Sequence, residues 1–176
     1  MSGPWSIPIR LADVDRNGVM HLTPEPDEAA RARIAESIGV DALKSLKAKA
    51  TLKPWLDGVE LSAHVVAVVT QTCGISLDPF DSTLETRFTL QALIAGSPNA
   101  PQDQGPALVI DPDEPDPPEI LEGDVIDVGD WLVEHLALEV EQFPRKPGVV
   151  FEQPGGAEVI SPFAALAALK DPKPPN

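Results

Sequence analysis

Alternating apolar and polar residues in the middle of the chain predict three consecutive β-strands. Over residues 46–53, aliphatic side chains alternate with lysines and a threonine, which gives one apolar face and one basic face. Residues 59–73 are rich in β-branched side chains, and one face is apolar from Val59 to Val69. Alternation resumes over residues 84–92. The short connections between these segments favour an antiparallel meander.

Apolar residues at helical spacing predict helices on both sides of this meander. The first is expected to begin at Thr23 as N-cap and to end at Gly39. The second covers residues 126–140, with Asp127 as its cap, and the third covers residues 161–170. The alternation over residues 5–11 predicts a short strand before the first helix.

Together these elements predict an α+β fold in which an antiparallel β-meander packs with about three helices. The expected organisation is a single domain over residues 1–170, followed by a disordered tail at 171–176. Residues 97–118 are rich in Pro, Asp and Glu and are predicted to form an acidic loop. Within this loop, the apolar residues 107–110 are expected to pair with an edge of the sheet.

The charge of the chain narrows the classes of partner. Its formal net charge is −15 and its pI is about 4.4, which disfavours a general phosphate-binding surface and favours a basic protein partner. A single cysteine rules out an internal disulfide. The chain begins without a signal-peptide pattern and has no apolar stretch of ~20 residues, so we expect no membrane association and a cytoplasmic location.

No catalytic, cofactor or metal site is expected from the residue pattern. Cys73 has no basic neighbour in sequence, which favours a buried structural thiol. The segment 70–73 has the spacing of a zinc-binding Cys-x-x-Cys pair, but Thr70 occupies the first position. The three histidines are scattered, and His135 is expected at the edge of the core, bonded to a backbone carbonyl.

The basic face of the strand predicted over residues 46–53 is the one candidate surface for RNA. It consists of Lys47, Lys49 and Lys53, with Trp55 beside them. The lysines would contact phosphates and the indole would stack on a base. A solvated strand face with Trp55 in the core is the alternative interpretation.

Two further segments are candidates for binding a protein. Residues 103–130 contain no Lys or Arg, so this acidic stretch and the helix after it are suited to a Lys/Arg-rich partner. The Ala-rich helix at 161–170 would let another backbone approach closely. The candidate partner-binding residues on these segments are Asp111, Asp113, Glu114, Asp116, Asp130, Trp131, Glu134, Phe163, Leu166 and Lys170.

Three places in the chain resemble the YceD family, the large ribosomal RNA subunit accumulation proteins. They are the cysteine turn from Gln71 to Phe80, the acidic helix that begins near Ile126, and the Ser-Pro-Phe…Leu-Lys segment at 161–170. Many members look as if they carry a Cys-x-x-Cys pair, which suggests metal and nucleic-acid binding. This chain departs from that pattern at Thr70.

The resemblance implies a role in ribosome biogenesis and in accumulation of large-subunit rRNA. Combined with the acidic charge, it predicts a non-enzymatic factor that binds a basic protein, such as a large-subunit ribosomal protein, with rRNA contact being indirect. Two alternatives remain beside this prediction: a direct RNA-binding module that uses the lysines, and a small enzyme that depends on Cys73.

Overall fold

The computed structural model describes residues 3–100 and 117–151, and it contains seven strands and three helices in these ranges. The strands are β1 (Pro8–Arg10), β2 (Met20–Leu22), β3 (Ala42–Trp55), β4 (Gly58–Thr72), β5 (Pro79–Ile94), β6 (Glu119–Leu121) and β7 (Val125–Asp127). The helices are α1 (Leu11–Asn17), α2 (Glu28–Ile38) and α3 (Val128–Leu138).

The main sheet has five strands in the order β2-β3-β4-β5-β6. The long strands β3, β4 and β5 are antiparallel neighbours, as the alternation predicts, and they form the meander at the centre of the sheet. β2 adds to β3 in antiparallel orientation, whereas β6 adds to β5 in parallel. A separate ribbon joins β1 to β7. The predicted α+β class is therefore confirmed.

The hydrophobic core lies between one face of this sheet and the helices. Every second residue over 46–52 of β3 and 59–71 of β4 points inwards and is buried, because side chains alternate across a strand. Ile34 of α2 and Leu132 and Leu136 of α3 are fully buried in the same cluster. The other face of the sheet, called here the outer face, carries the polar residues of β3, β4 and β5.

The N-terminal third differs from the sequence prediction. The strand expected over residues 5–11 shrinks to β1, because a short helix, α1, begins at Leu11. The next helix begins at Glu28 instead of following Thr23, and the Asp27 side chain accepts the backbone N–H of Ala30 at 2.7 Å as its cap. Both Thr23 and Asp27 are good N-cap residues, but Pro26 disfavours helical geometry at the residue before it.

α3 is shorter than the predicted helix at 126–140, because residues 125–127 pair with β1 as strand β7 and the helix ends at Leu138. Two predicted helix-end residues are nevertheless confirmed. Gly39 ends α2 with a left-handed backbone conformation (φ 73°), which glycine adopts at little cost. Asp127 caps α3, as predicted, by accepting the backbone N–H of Gly129 at 3.0 Å. The loop residues 101–116, with the apolar segment 107–110, the predicted helix 161–170 and the tail 171–176 lie outside the described residues.

Candidate functional site

Three carboxylates form an acidic surface where β6 meets α3: Glu119, Asp130 and Glu134. Burial raises the pKa of the Glu134 carboxyl, and the nearby charges of Glu119 and Asp130 raise it further. Burial also raises the pKa of Asp130, with the charge of Asp127 adding to the effect. Such shifts mean that the ionised carboxylates are crowded and incompletely solvated.

No Lys or Arg of the described residues forms an ion pair with a carboxylate of the acidic surface. The sequence neighbours of these carboxylates supply no cation, since no Lys or Arg occurs between Arg87 and Arg145. Asp127 is different, because its carboxylate is used internally and accepts bonds from Ser6, from the Ile7 backbone and from the first turn of α3. The exposed carboxylates of Glu119 and Glu134 therefore have charge available for a cationic ligand, whereas one oxygen of Asp130 is buried against Gly3.

Trp131, a predicted partner-binding residue, lies in the core. Its side chain is only 7% exposed, so it holds α3 in place and offers little surface. Its backbone carbonyl accepts a bond from Nδ1 of His135 at 2.9 Å, and the His135 ring stacks on Phe88 with centroids 3.6 Å apart. His135 thus occupies the core-edge position predicted from the sequence.

The lysines of β3 lie together on the outer face. Lys47, Lys49 and Lys53 are exposed, and Trp55 beyond them is half-buried. The register places Lys49 opposite His64 and Lys47 opposite Val66, and these four residues border a concavity of approximately 470 Å³.

The three lysines differ in their partners. Lys53 Nζ is 2.7 Å from Glu60 Oε1, and this bond lowers the pKa of Glu60. Lys47 and Lys49 form no ion pair within the part of the chain that the structure describes. Their charge is therefore free for an anionic ligand, whereas that of Lys53 is largely neutralised.

Cys73 is buried at the end of β4 and is cradled by hydrogen-bond donors. The backbone N–H of Ser76 and that of Lys146 point at the sulfur over 3.5 and 3.3 Å. These donors, with the Ser76 hydroxyl, lower the pKa of the thiol to about 6 against the opposing effect of burial. The predicted structural position is confirmed, but the thiolate character was not foreseen.

Gln71 is a structural residue that the sequence analysis missed. It is the one buried polar side chain of the described residues, at 5% exposure. Its Oε1 accepts from the Ser82 hydroxyl at 2.9 Å, and its Nε2 donates to the carbonyl of Glu141 at 3.2 Å. Gln71 and Cys73 thus bond the end of β4 to the segment after α3.

The Cys-x-x-Cys spacing at 70–73 does not bring two metal ligands together. Thr70 bonds to Asp81 on the outer face, whereas Cys73 is buried, because residues three apart in a strand lie on opposite faces. Among residues 3–100 and 117–151, no group of three His, Cys, Asp or Glu side chains is placed to hold a metal ion.

Comparison with known families identifies the chain. The model of the family described as large ribosomal RNA subunit accumulation protein YceD matches residues 61–170, which is more than half of the sequence. The chain belongs to the YceD family. The match includes the cysteine turn and the acidic helix, so the resemblance drawn from those residues is confirmed. Searches of curated proteins and of solved structures found no match.

Membership of the YceD family connects the chain to ribosome biogenesis, through the accumulation of large-subunit rRNA. The family is described as an accumulation factor and not as an enzyme family. None of the helices in the described part of the chain has the length and apolar character needed to cross a bilayer.

Proposed function

We propose that this YceD-family protein is a non-enzymatic factor in large-subunit biogenesis that binds a basic ribosomal protein. The observation that carries the proposal is the acidic surface of Glu119, Asp130 and Glu134. Burial raises the pKa values of both Asp130 and Glu134, and the charges of Glu119 and Asp130 raise that of Glu134 further. No Lys or Arg of the described residues forms an ion pair with these carboxylates. A Lys/Arg-rich segment would relieve this repulsion by pairing with the carboxylates.

The charge of unassembled ribosomal proteins explains why an acidic surface of this kind would be useful. Ribosomal proteins carry dense positive charge because they bind rRNA phosphates, and before assembly that charge attracts other nucleic acids. An acidic protein that covers the charge would keep its partner available for the large subunit. Loss of this protection would reduce the amount of stable large-subunit rRNA.

Titration of purified large-subunit proteins with the labelled chain tests the proposal. A Glu119→Lys/Glu134→Lys variant should weaken binding at low salt. The matched control is Asp15→Lys/Glu28→Lys, which makes the same change of charge on α1 and α2 and should bind nearly as the wild type. Equal weakening in both variants would show that the overall charge of the chain, and not the acidic surface, determines binding. Absence of binding to every large-subunit protein would refute the proposal.

Direct RNA binding is a second candidate, which Lys47 and Lys49 favour specifically. Both are exposed on the outer face, and neither is neutralised by a described carboxylate. Two lysines on a chain of net charge −15 would give weak and strongly salt-dependent affinity by themselves. RNA contact would therefore support the protein interaction and would not replace it.

A further inference from the structure

Among the described residues, most of strand β5 has a partner strand along only one of its edges. β4 pairs with it from Pro79 to Leu93, but β6 pairs only with residues 92–94. No other described strand lies beside residues 81–91. The 16-residue β5 therefore presents a long stretch of backbone N–H and C=O groups for pairing with another chain.

The register shows which groups point to the free edge. The N–H of Cys73 bonds to the carbonyl of Asp78. By the register of the two strands, the backbone N–H and C=O groups of the even-numbered residues of β5 therefore point towards β4. The backbone groups of the odd-numbered residues point away from β4. Ala95, just after β5, follows this pattern, because its N–H donates to the carbonyl of Leu121 in β6. Thr83 lies within the free stretch, with an exposed side chain and its N–H directed outwards.

A groove of approximately 580 Å³ runs along this edge. One wall consists of the consecutive β5 residues 80–85, and the other is the segment after α3. Four carboxylates and one cation line it: Asp81, Glu85, Glu139, Glu141 and Arg145.

The charges on the two walls are not equally available. Lys44 pairs with Asp81 and Arg87 pairs with Glu85, at 2.5 and 2.6 Å. Glu139 and Glu141 are exposed and form no ion pair within the described residues. On the wall that faces the free strand edge, these two carboxylates outnumber the single cation, Arg145, so this wall carries a net negative charge.

We propose that the free β5 edge and this groove bind an extended Lys/Arg-rich segment of the partner protein, which adds a strand to the sheet. Strand addition would use the unpaired backbone groups for affinity, and the carboxylates would select basic side chains. The inference rests on the proposed function, because it assigns the binding mode of the basic partner.

Amide hydrogen exchange measured by NMR tests this mode with a defined probe, a peptide of about ten residues that alternates Lys and Val. In the free protein, the amides of Thr83, Glu85 and Arg87 should exchange rapidly. They should become protected when the peptide is added, and an alternating Glu/Val peptide should have no such effect.

A proline at the free edge gives the decisive variant. Thr83→Pro removes an outward N–H without removing a bond to β4, and should weaken peptide binding about tenfold. Thr83→Ala keeps the N–H and should bind as the wild type. If Thr83→Pro fails to fold, the exchange measurement on the wild type still decides the question.

Neutralising the groove tests its charge. Glu139→Gln/Glu141→Gln should weaken binding of the Lys/Val peptide, with a smaller difference at high salt. Asp15→Asn/Glu36→Gln makes the same change of net charge on exposed positions of α1 and α2 and should have little effect. Equal effects of the two pairs would contradict a role for the groove.

Three results would overturn the inference. Protection of the β5 edge amides in the free monomer would show that the chain already covers the edge. Protection that rises with protein concentration would show that a second copy occupies it. Unchanged peptide binding by Thr83→Pro would exclude strand addition. If large-subunit proteins still bind in these cases, the proposed function stands and only the binding mode fails.

Discussion

The backbone amide of Lys146 donates to the sulfur of Cys73 across 3.3 Å, joining the β4–β5 turn to the segment after α3. Two further bonds reinforce this junction: Gly74 N–H to the Pro144 carbonyl at 2.9 Å, and the Gln71 side chain to the Glu141 carbonyl. The cysteine turn is therefore a docking point for the chain that lines one wall of the β5 groove.

The titration of Cys73 should make stability depend on pH. The backbone N–H groups of Ser76 and Lys146 lower the pKa of the thiol to about 6 in the folded protein, whereas an unfolded cysteine has a pKa of about 8.5. An acid with a lowered folded pKa stabilises the fold fully above its unfolded pKa. This contribution is lost as the pH falls towards 6.

Urea unfolding of the wild type and of Cys73→Ser at a series of pH values measures this contribution. The difference between their midpoints should grow as the pH rises from about 6 to about 8.5, and then level off. Ultraviolet absorbance of the thiolate gives the pKa independently. A thiol that titrates in the folded protein as it does in a peptide would contradict the hydrogen-bonded cradle.

Replacement of Asp127 should destabilise the fold more than loss of an ordinary helix cap. Its carboxylate accepts hydrogen bonds from the N–H groups of Gly129 and Ile7, at 3.0 and 2.7 Å. It therefore caps α3 and also fixes the residue before β1 to the start of that helix. Asp127→Ala should lower the free energy of unfolding by at least about 1 kcal/mol. Asp124→Ala, in the preceding loop, serves as the control and should change it much less.

Gly129 should not tolerate a side chain. A Cβ at this position would lie 2.1 Å from the backbone carbonyl oxygen of Trp5, so the N-terminal segment would have to move off α3. Gly129→Ala should therefore lower the thermal midpoint clearly. At Gly74 the nearest atom would be 3.7 Å away, and Gly74→Ala should leave the midpoint nearly unchanged. Similar midpoints for the two variants would contradict the close contact between α3 and Trp5.

The strands of the meander could be predicted because alternation determines which face of each strand is buried. The faces assigned to β3 and β4 agree with the structure, and the lysines of β3 are exposed as expected. The cap at Asp127 was predictable for a similar reason, since capping depends on a few neighbouring residues.

The features that were missed depend on distant contacts. β2 has only three residues and exists because it pairs with residues 50–52. α1 is a seven-residue helix with only Leu11 and Val14 buried, which is too short for a clear helical period. The donation from Lys146 to Cys73 could not be inferred either, because the two residues are 73 positions apart in the sequence.

The RNA alternative makes a quantitative prediction for the outer face. If Lys47 and Lys49 contact phosphates, Lys47→Gln/Lys49→Gln should reduce the slope of log affinity against log salt by about 0.7 for each lysine removed. The control Arg10→Gln/Arg16→Gln removes two exposed cations from β1 and α1 and should leave the slope unchanged. Fluorescence anisotropy with single-stranded rRNA fragments gives both slopes, and equal slopes in all proteins would exclude this surface as an RNA contact.

Affinity capture of the tagged chain from lysate, with and without nuclease treatment and with the bound proteins quantified by mass spectrometry, shows whether the protein binds a basic ribosomal protein. Large-subunit proteins should be enriched over small-subunit proteins after nuclease treatment, and Glu119→Lys/Glu134→Lys should lose this enrichment while Asp15→Lys/Glu28→Lys keeps it. Enrichment that disappears with nuclease treatment, or that the acidic-surface variant retains, would contradict binding to a basic protein through Glu119, Asp130 and Glu134.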